Sequence, residues 1–298
     1  MRVKVRYRVF GILALLVGIV VLTACIQDEE GEMDETISIG SHSLHLYCLG
    51  HGSPTVVIDV AFGDSYTNWH DIQQQIAKET RVCAYDRAGY GLSEPGPMPR
   101  TSQQVVAELK TLLKKAGISP PYVLVGHSLG GLNMQIFANQ YPELVAGIVL
   151  LDPPPLDWIT GQRFPELHRL ATQETEALLA AAEQARQAAD PEERAKADYY
   201  ETCASEHAMM GESAEQAAAI DSFSDIPLII IASGIPNPRF GNSAEAFQQF
   251  WIEQNQVLAS KSAHGTCILA AESTHILYSD VPALVLDVIL QVVKEAQE

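Results

Sequence analysis

The segment YVLVGHSLGGLNMQIF, residues 122–137, constrains this chain more than any other. Its first four residues carry the branched and aromatic apolar side chains of a buried strand. A helical pattern follows from Leu129. Between the two sits Ser128, with Gly126 and Gly130 two positions away on either side, a match to G-x-S-x-G. A serine at the tip of so sharp a turn has a strained backbone. Side chains two positions away would collide with the adjoining strand and helix, which explains the glycines. The helix N-terminus then directs backbone N–H groups toward the space beside the hydroxyl. By composition alone, the pentapeptide would arise in roughly a tenth of chains this long. The flanking strand and helix give it its weight.

The rest of the chain extends that strand–helix alternation. ETISIG and LHLYCLG read as a hairpin around residues 40–43, and TVVIDV (55–60) as a strand buried on both faces. A short helix over 69–77 and a strand RVCAYD (81–86) follow. Beyond Thr101, a plausible N-cap, Val105, Val106, Leu109, Leu112 and Leu113 form one helical stripe that ends at Gly117. VAGIVLLD (145–152) is the next strand. Residues 153–225 then turn rich in Ala, Glu, Gln and Arg with helical period, interrupted at Pro191. Strand, helix, strand and helix resume in IPLIIIASG, SAEAFQQFWIEQNQVLA, GTCILAAE and VPALVLDVILQVVKEA. The pattern predicts an α/β fold with a mostly parallel sheet covered by helices on both faces. Its core spans 36–152 and 226–298, with a helical cap at 153–225.

The charge balance, 19 Lys+Arg against 37 Asp+Glu, leaves a net −18 and no basic stripe. That argues against a nucleic-acid ligand and against electrostatic docking on anionic lipid. The N-terminus is different in kind. Arg2, Lys4, Arg6 and Arg8 precede an unbroken apolar run that ends in Leu22-Thr23-Ala24-Cys25. These are the parts of a secretory signal, and the last four residues resemble a bacterial lipobox in which Cys25 is lipidated. An uncleaved membrane anchor is the alternative, because the 18 apolar-segment residues from Val9 to Ile26 approach the spanning minimum. Either way the expected location is extracytoplasmic and membrane-tethered. Loss of residues 1–24 would remove four positive charges and no acid, moving the net charge to −22. Residues 25–35 read as an acidic, disordered tether. Four further cysteines remain, and Cys48 and Cys83 lie in predicted strands. If those strands are neighbours a disulfide can form; otherwise all four are thiols.

With its elbow-like turn, the chain resembles the α/β-hydrolase superfamily over nearly all of residues 36–298. PTVVIDVAFGDSYTNW resembles the strand leading to that family's oxyanion loop, and VCAYDRAGYGLSEPGPMPRT its next strand and loop. STHILYSDVPALVLDVI resembles the family's C-terminal histidine segment and last helix. The resemblance implies a triad in the order Ser, acid, His. Ser128 is then the nucleophile, and His275, between the last strand and last helix, is the base. His264 lies at the opposite end of that strand, while His168 and His207 in the cap could touch substrate. The acid is open between Asp152, which ends VLLD, and Glu245, the first carboxylate after IASGIPNPRF. Asp152 is favoured, as in the family's pancreatic-lipase branch. Backbone N–H groups of Leu129 and Phe62 would form the oxyanion hole, although Ala61 stands where the family usually has Gly.

The resemblance implies a serine hydrolase that cleaves an ester or related acyl bond of a small molecule through an acyl-enzyme. It needs neither metal nor organic cofactor. Two other readings remain. One is a proline-type aminopeptidase, whose substrate amine would need cap acids such as Glu166, Glu174, Glu176, Glu183, Glu192 or Glu193. The other is a binding protein that kept the fold without catalysis. Trp158, Phe164, Tyr199, Tyr200, Met209 and Met210 are candidates to line the substrate pocket.

Overall fold

The computed structural model describes residues 31–155 and 163–298. Cys25 with its apolar leader, and Trp158, lie outside the described residues. Among the described residues, eight strands form one sheet. They are β1 (Met33–Ser38), β2 (Ser43–Leu49), β3 (Thr55–Asp59), β4 (Val82–Tyr85), β5 (Tyr122–His127), β6 (Val145–Leu151), β7 (Leu228–Ser233) and β8 (Gly265–Ala270). Their order is β1-β2-β4-β3-β5-β6-β7-β8. The β1–β2 and β2–β4 pairs are antiparallel and all the others parallel.

Among the described residues, α1 (His70–Ile76), α2 (Ser102–Lys115) and α3 (Leu129–Gln140) precede the predicted cap. The cap segment holds α4 (Pro165–Arg186), α5 (Pro191–Ala195), α6 (Ala197–Ala208) and α7 (Met210–Ala218). Then come α8 (Ala244–Ala259), α9 (Leu277–Asp280) and α10 (Pro282–Glu295). Thr101 caps α2 as the sequence predicts, its Oγ1 accepting from the Gln104 N–H at 3.4 Å.

The central strands are buried on both faces, and their period of two sorts them between two cores. Val57, Leu124, Ile148, Leu150 and Ile230 pack with Val106 and Leu109 of α2 and Phe137 of α3. Val56, Ile58, Val125, Val149 and Ile231 pack with Ile76 of α1 and with Val285 and Ile289 of α10. This is why those strands read as unbroken apolar runs.

Two expectations about boundaries change. The acidic tether does not extend to residue 35: β1 begins at Met33, which pairs with Cys48 across the sheet. An edge strand has one face in solvent, so exposed acids are compatible with it. Asp34 also accepts a hydrogen bond from His45 Nε2 at 2.7 Å, a contact no local pattern reveals. At the other end, α7 does more than cap. Its Met210, Ala214 and Ala217, with Ile220 and Phe223 just beyond it, join the same core as α2 and α3.

Cys48 and Cys83 stand directly opposite each other on β2 and β4 and form a disulfide. Cys203 is a buried free thiol and Cys267 a half-buried one. Because β3 and β5–β8 run parallel, the segments after them emerge along one edge of the sheet. Ala61–Phe62 after β3, Ser128 after β5, Asp152 after β6 and His275 beyond β8 are all delivered there.

Candidate active site

Ser128 occupies φ 53°, ψ −118°, a region L-residues rarely enter. Its N–H donates to the Leu151 carbonyl at 2.9 Å, which ties the turn to β6. The glycines are there because the turn is crowded. A Cβ on Gly126 would lie 2.5 Å from the Gly130 oxygen, and one on Gly130 would lie 2.1 Å from the Asp59 oxygen. The strained turn thus depends on β3 and α3 closing on it from both sides.

The structure brings His275 to Asp152 and not to Glu245. His275 Nδ1 is 2.6 Å from Asp152 Oδ2. An ionised carboxylate only accepts, so the proton sits on Nδ1 and Nε2 is left with a lone pair. Asp152 is buried and itself has a positive φ of 48°. Its carboxylate also accepts from the Ser233 N–H at 3.0 Å and the Ser233 hydroxyl at 2.7 Å. Gln248 Nε2 in turn donates to the Ser233 carbonyl at 2.7 Å. Glu245 is an exposed residue in the first turn of α8. His264 is exposed just before β8, as expected, and His168 is exposed on α4. Ser233 and Gln248 were missed by sequence reasoning. The available signal was position, since Ser233 ends the strand where an acid was sought.

His127, inside the pentapeptide, has a second connection to this group. It is fully buried, and its Nε2 donates to the His275 carbonyl at 2.8 Å. Burial, then the neighbouring His275, pushes its pKa from 6.5 down to about 3. His127 is therefore neutral when folded across a range where the unfolded chain binds its proton. Stability contributed this way is intact above about pH 6.5 and lost as the pH falls toward 3. Relative to His127→Phe, the wild-type unfolding free energy is expected to drop by an extra ~1.4 kcal/mol per pH unit across that window. Urea titrations at a series of pH values measure it. Parallel curves for the two proteins would refute this account of His127.

Ser128, Asp152, His275, Ala61 and Phe62 all line one cavity of about 460 Å³. Leu129 opens α3, so its N–H has no acceptor within the helix. The cavity wall is mostly apolar, with Leu167, Met210, Phe240, Phe247 and Trp251. Of the predicted lining residues, only Met210 is there among those described. Phe164 packs in a side cluster with Phe247 and Phe250, and the Tyr199 hydroxyl donates to the Gly63 carbonyl at 3.1 Å. Helical period identifies an apolar face but not the neighbour it meets. His207 does line the cavity, and burial pushes its pKa down. Beside it, Glu174 is held by Arg239 at 2.6 Å.

Beneath the Ala61–Phe62 loop lies a buried ionic cluster that sequence reasoning also missed. Arg87 stands between Asp59 and Glu206, all three essentially without solvent exposure. Its NH1 donates to Asp59 Oδ1 and to the Val60 carbonyl, both at 2.7 Å. Its NH2 donates to the Ala61 carbonyl at 3.0 Å and to Glu206 Oε2 at 3.2 Å, and Nε to Glu206 Oε1 at 3.0 Å. Burial opposes the Arg87 charge, but Glu206 and Asp59 outweigh it and hold its pKa well above the ordinary value.

Similar proteins share this architecture. Residues 54–205 match a family model described as alpha/beta hydrolase fold. The chain is 27% identical over 256 residues to the uncharacterized protein YqjL of Bacillus subtilis, covering 85% of this chain and 89% of that protein. A 106-residue segment is 29% identical to mouse Epoxide hydrolase 4, covering 35% of this chain and 29% of that protein. Among solved structures, a thermophilic esterase from Thermogutta terrifontis superposes with TM-score 0.65 at 18% identity. The match covers 90% of this chain and 99% of the esterase. The strand order, the strained serine turn and the matched residues together place this chain in the alpha/beta hydrolase fold family.

Proposed function

We propose that this protein hydrolyses esters of small molecules through an acyl-enzyme on Ser128. The observation that carries the reading is the 2.6 Å contact of His275 Nδ1 with Asp152, beside the cavity that Ser128 also lines. A proton on Nδ1 leaves Nε2 free to accept the Ser128 proton as the hydroxyl attacks the carbonyl carbon. Asp152 orients the ring and stabilises the imidazolium. The N–H groups of Phe62 and Leu129 receive the developing oxyanion. The imidazolium returns the proton to the leaving alkoxide, and water repeats the sequence on the acyl-enzyme.

Three observations narrow the substrate. The mostly apolar wall suits an uncharged acyl or alcohol group of small to medium size. Of the cap acids considered for an aminopeptidase, only Glu174 lines the cavity, and Arg239 already neutralises it. The name of the mouse relative raises epoxide opening. A serine would form an ether there, which water does not readily cleave, whereas an acyl ester on serine hydrolyses. A panel of p-nitrophenyl esters, aminoacyl anilides and a styrene-type epoxide tests the reading. Turnover is expected for short and medium esters; anilide or epoxide turnover without ester turnover would overturn it.

A further inference from the structure

We propose that the cap helix α6 sets the direction of the oxyanion donor, with Glu206 and Tyr199 acting as positioning residues for the Ala61–Phe62 peptide. This rests on the acyl-hydrolysis reading above and extends it. Cis peptides among the described residues occur only before proline, so the Ala61–Phe62 peptide is trans. In a planar trans peptide the N–H points opposite to the carbonyl. The Ala61 carbonyl is held by Arg87 NH2 at 3.0 Å, on the buried side of the loop. The Phe62 N–H is thereby turned away from Arg87, and Ala61 and Phe62 both line the cavity.

Arg87 can hold that carbonyl only if it is itself fixed. A guanidinium has five N–H donors. Here they go to Asp59, the Val60 and Ala61 carbonyls, and both oxygens of Glu206. Glu206 takes two of them in the bidentate form that specifies orientation, and it accepts from the Tyr90 hydroxyl at 2.6 Å. Glu206 belongs to α6, in the cap, while its partners belong to the sheet edge. The same helix reaches the loop again through Tyr199, whose hydroxyl donates to the Gly63 carbonyl at 3.1 Å. Residues 199 and 206 are seven apart, two turns on one helix face. On the opposite side the Gly63 N–H donates to Tyr90 at 3.4 Å. Burying three charges is expensive and adds little net stability. The pinned carbonyls are what this arrangement supplies in return.

The test is steady-state hydrolysis of a p-nitrophenyl ester, with inhibition by an aryl boronic acid, which mimics the tetrahedral intermediate. Glu206→Gln keeps the shape but removes the charge and one acceptor. It is expected to lower kcat about 10²-fold, comparable to losing one oxyanion donor, with KM within about threefold. The boronate inhibition constant should rise in parallel. A structural role alone would lower the melting temperature and leave the kcat of the folded enzyme and the boronate affinity unchanged. That result, or a loss confined to KM, overturns the proposal. If Glu206→Gln does not fold, Tyr199→Phe decides: kcat is expected to fall about fivefold, with KM and melting temperature unchanged. An unchanged kcat in Tyr199→Phe overturns the proposal. A wild type that neither turns over esters nor reacts with a fluorophosphonate removes the acyl-hydrolysis reading itself, a result distinct from an active wild type matched by its variants.

Discussion

Ser128→Ala is expected to hydrolyse p-nitrophenyl esters at least about 10⁴-fold more slowly than the wild type and to escape fluorophosphonate labelling. The loss is this large because, in the proposed mechanism, the hydroxyl forms the covalent bond, and the Ser233 hydroxyl, which lines the same cavity, is already engaged as a donor to Asp152. The residual rate reflects binding and the oxyanion donors alone. Backbone strain adds a second readout. At φ 53°, ψ −118°, any side chain is held at a cost of about 1–3 kcal/mol, of which glycine recovers part. Ser128→Gly is therefore expected to be as inactive as Ser128→Ala yet more stable than it by about 1 kcal/mol in urea unfolding. Labelling that persists in either variant would move the nucleophile elsewhere.

The second large effect separates the two candidate acids. Asp152→Asn is expected to lower kcat by about 10⁴ with little change in KM. The amide NH₂ can donate to His275 Nδ1, which favours the tautomer with its proton on Nε2. That ring cannot accept the Ser128 proton. The buried setting sharpens the effect, since the Ser233 N–H and hydroxyl are fixed as donors to the carboxylate. Glu245→Gln, at an exposed position on α8, is expected to stay within about twofold of wild type. A larger rate loss at Glu245 than at Asp152 would reverse the assignment.

Much of the fold and the site was legible in the chain because local rules governed it. Unbroken apolar runs in β3, β5, β6 and β7 mark strands covered on both faces, and the α2 stripe and Thr101 cap come from helical period and hydrogen-bond need. Ser128 stood out because its turn imposes glycine at fixed offsets. His275 and Asp152 could be ranked by position, since parallel strands send their outgoing loops to one edge.

The contacts that sequence left open join residues far apart in the chain. That His275 meets Asp152 and not Glu245 rests on a 2.6 Å contact across 123 positions. Pairing of Cys48 with Cys83 needed the register of β2 on β4. Arg87 meets Glu206 119 residues away, and His127 meets the His275 carbonyl 148 residues away. The sequence by itself determined the fold class, the strained serine turn and the position of His275 between the last strand and the last helix, because period, turn sterics and strand polarity act over a few residues. Only the tertiary structure decided which carboxylate meets His275, which buried cation holds the Ala61 carbonyl and which cap side chain holds that cation, because hydrogen bonds between distant segments are set by how the layers stack.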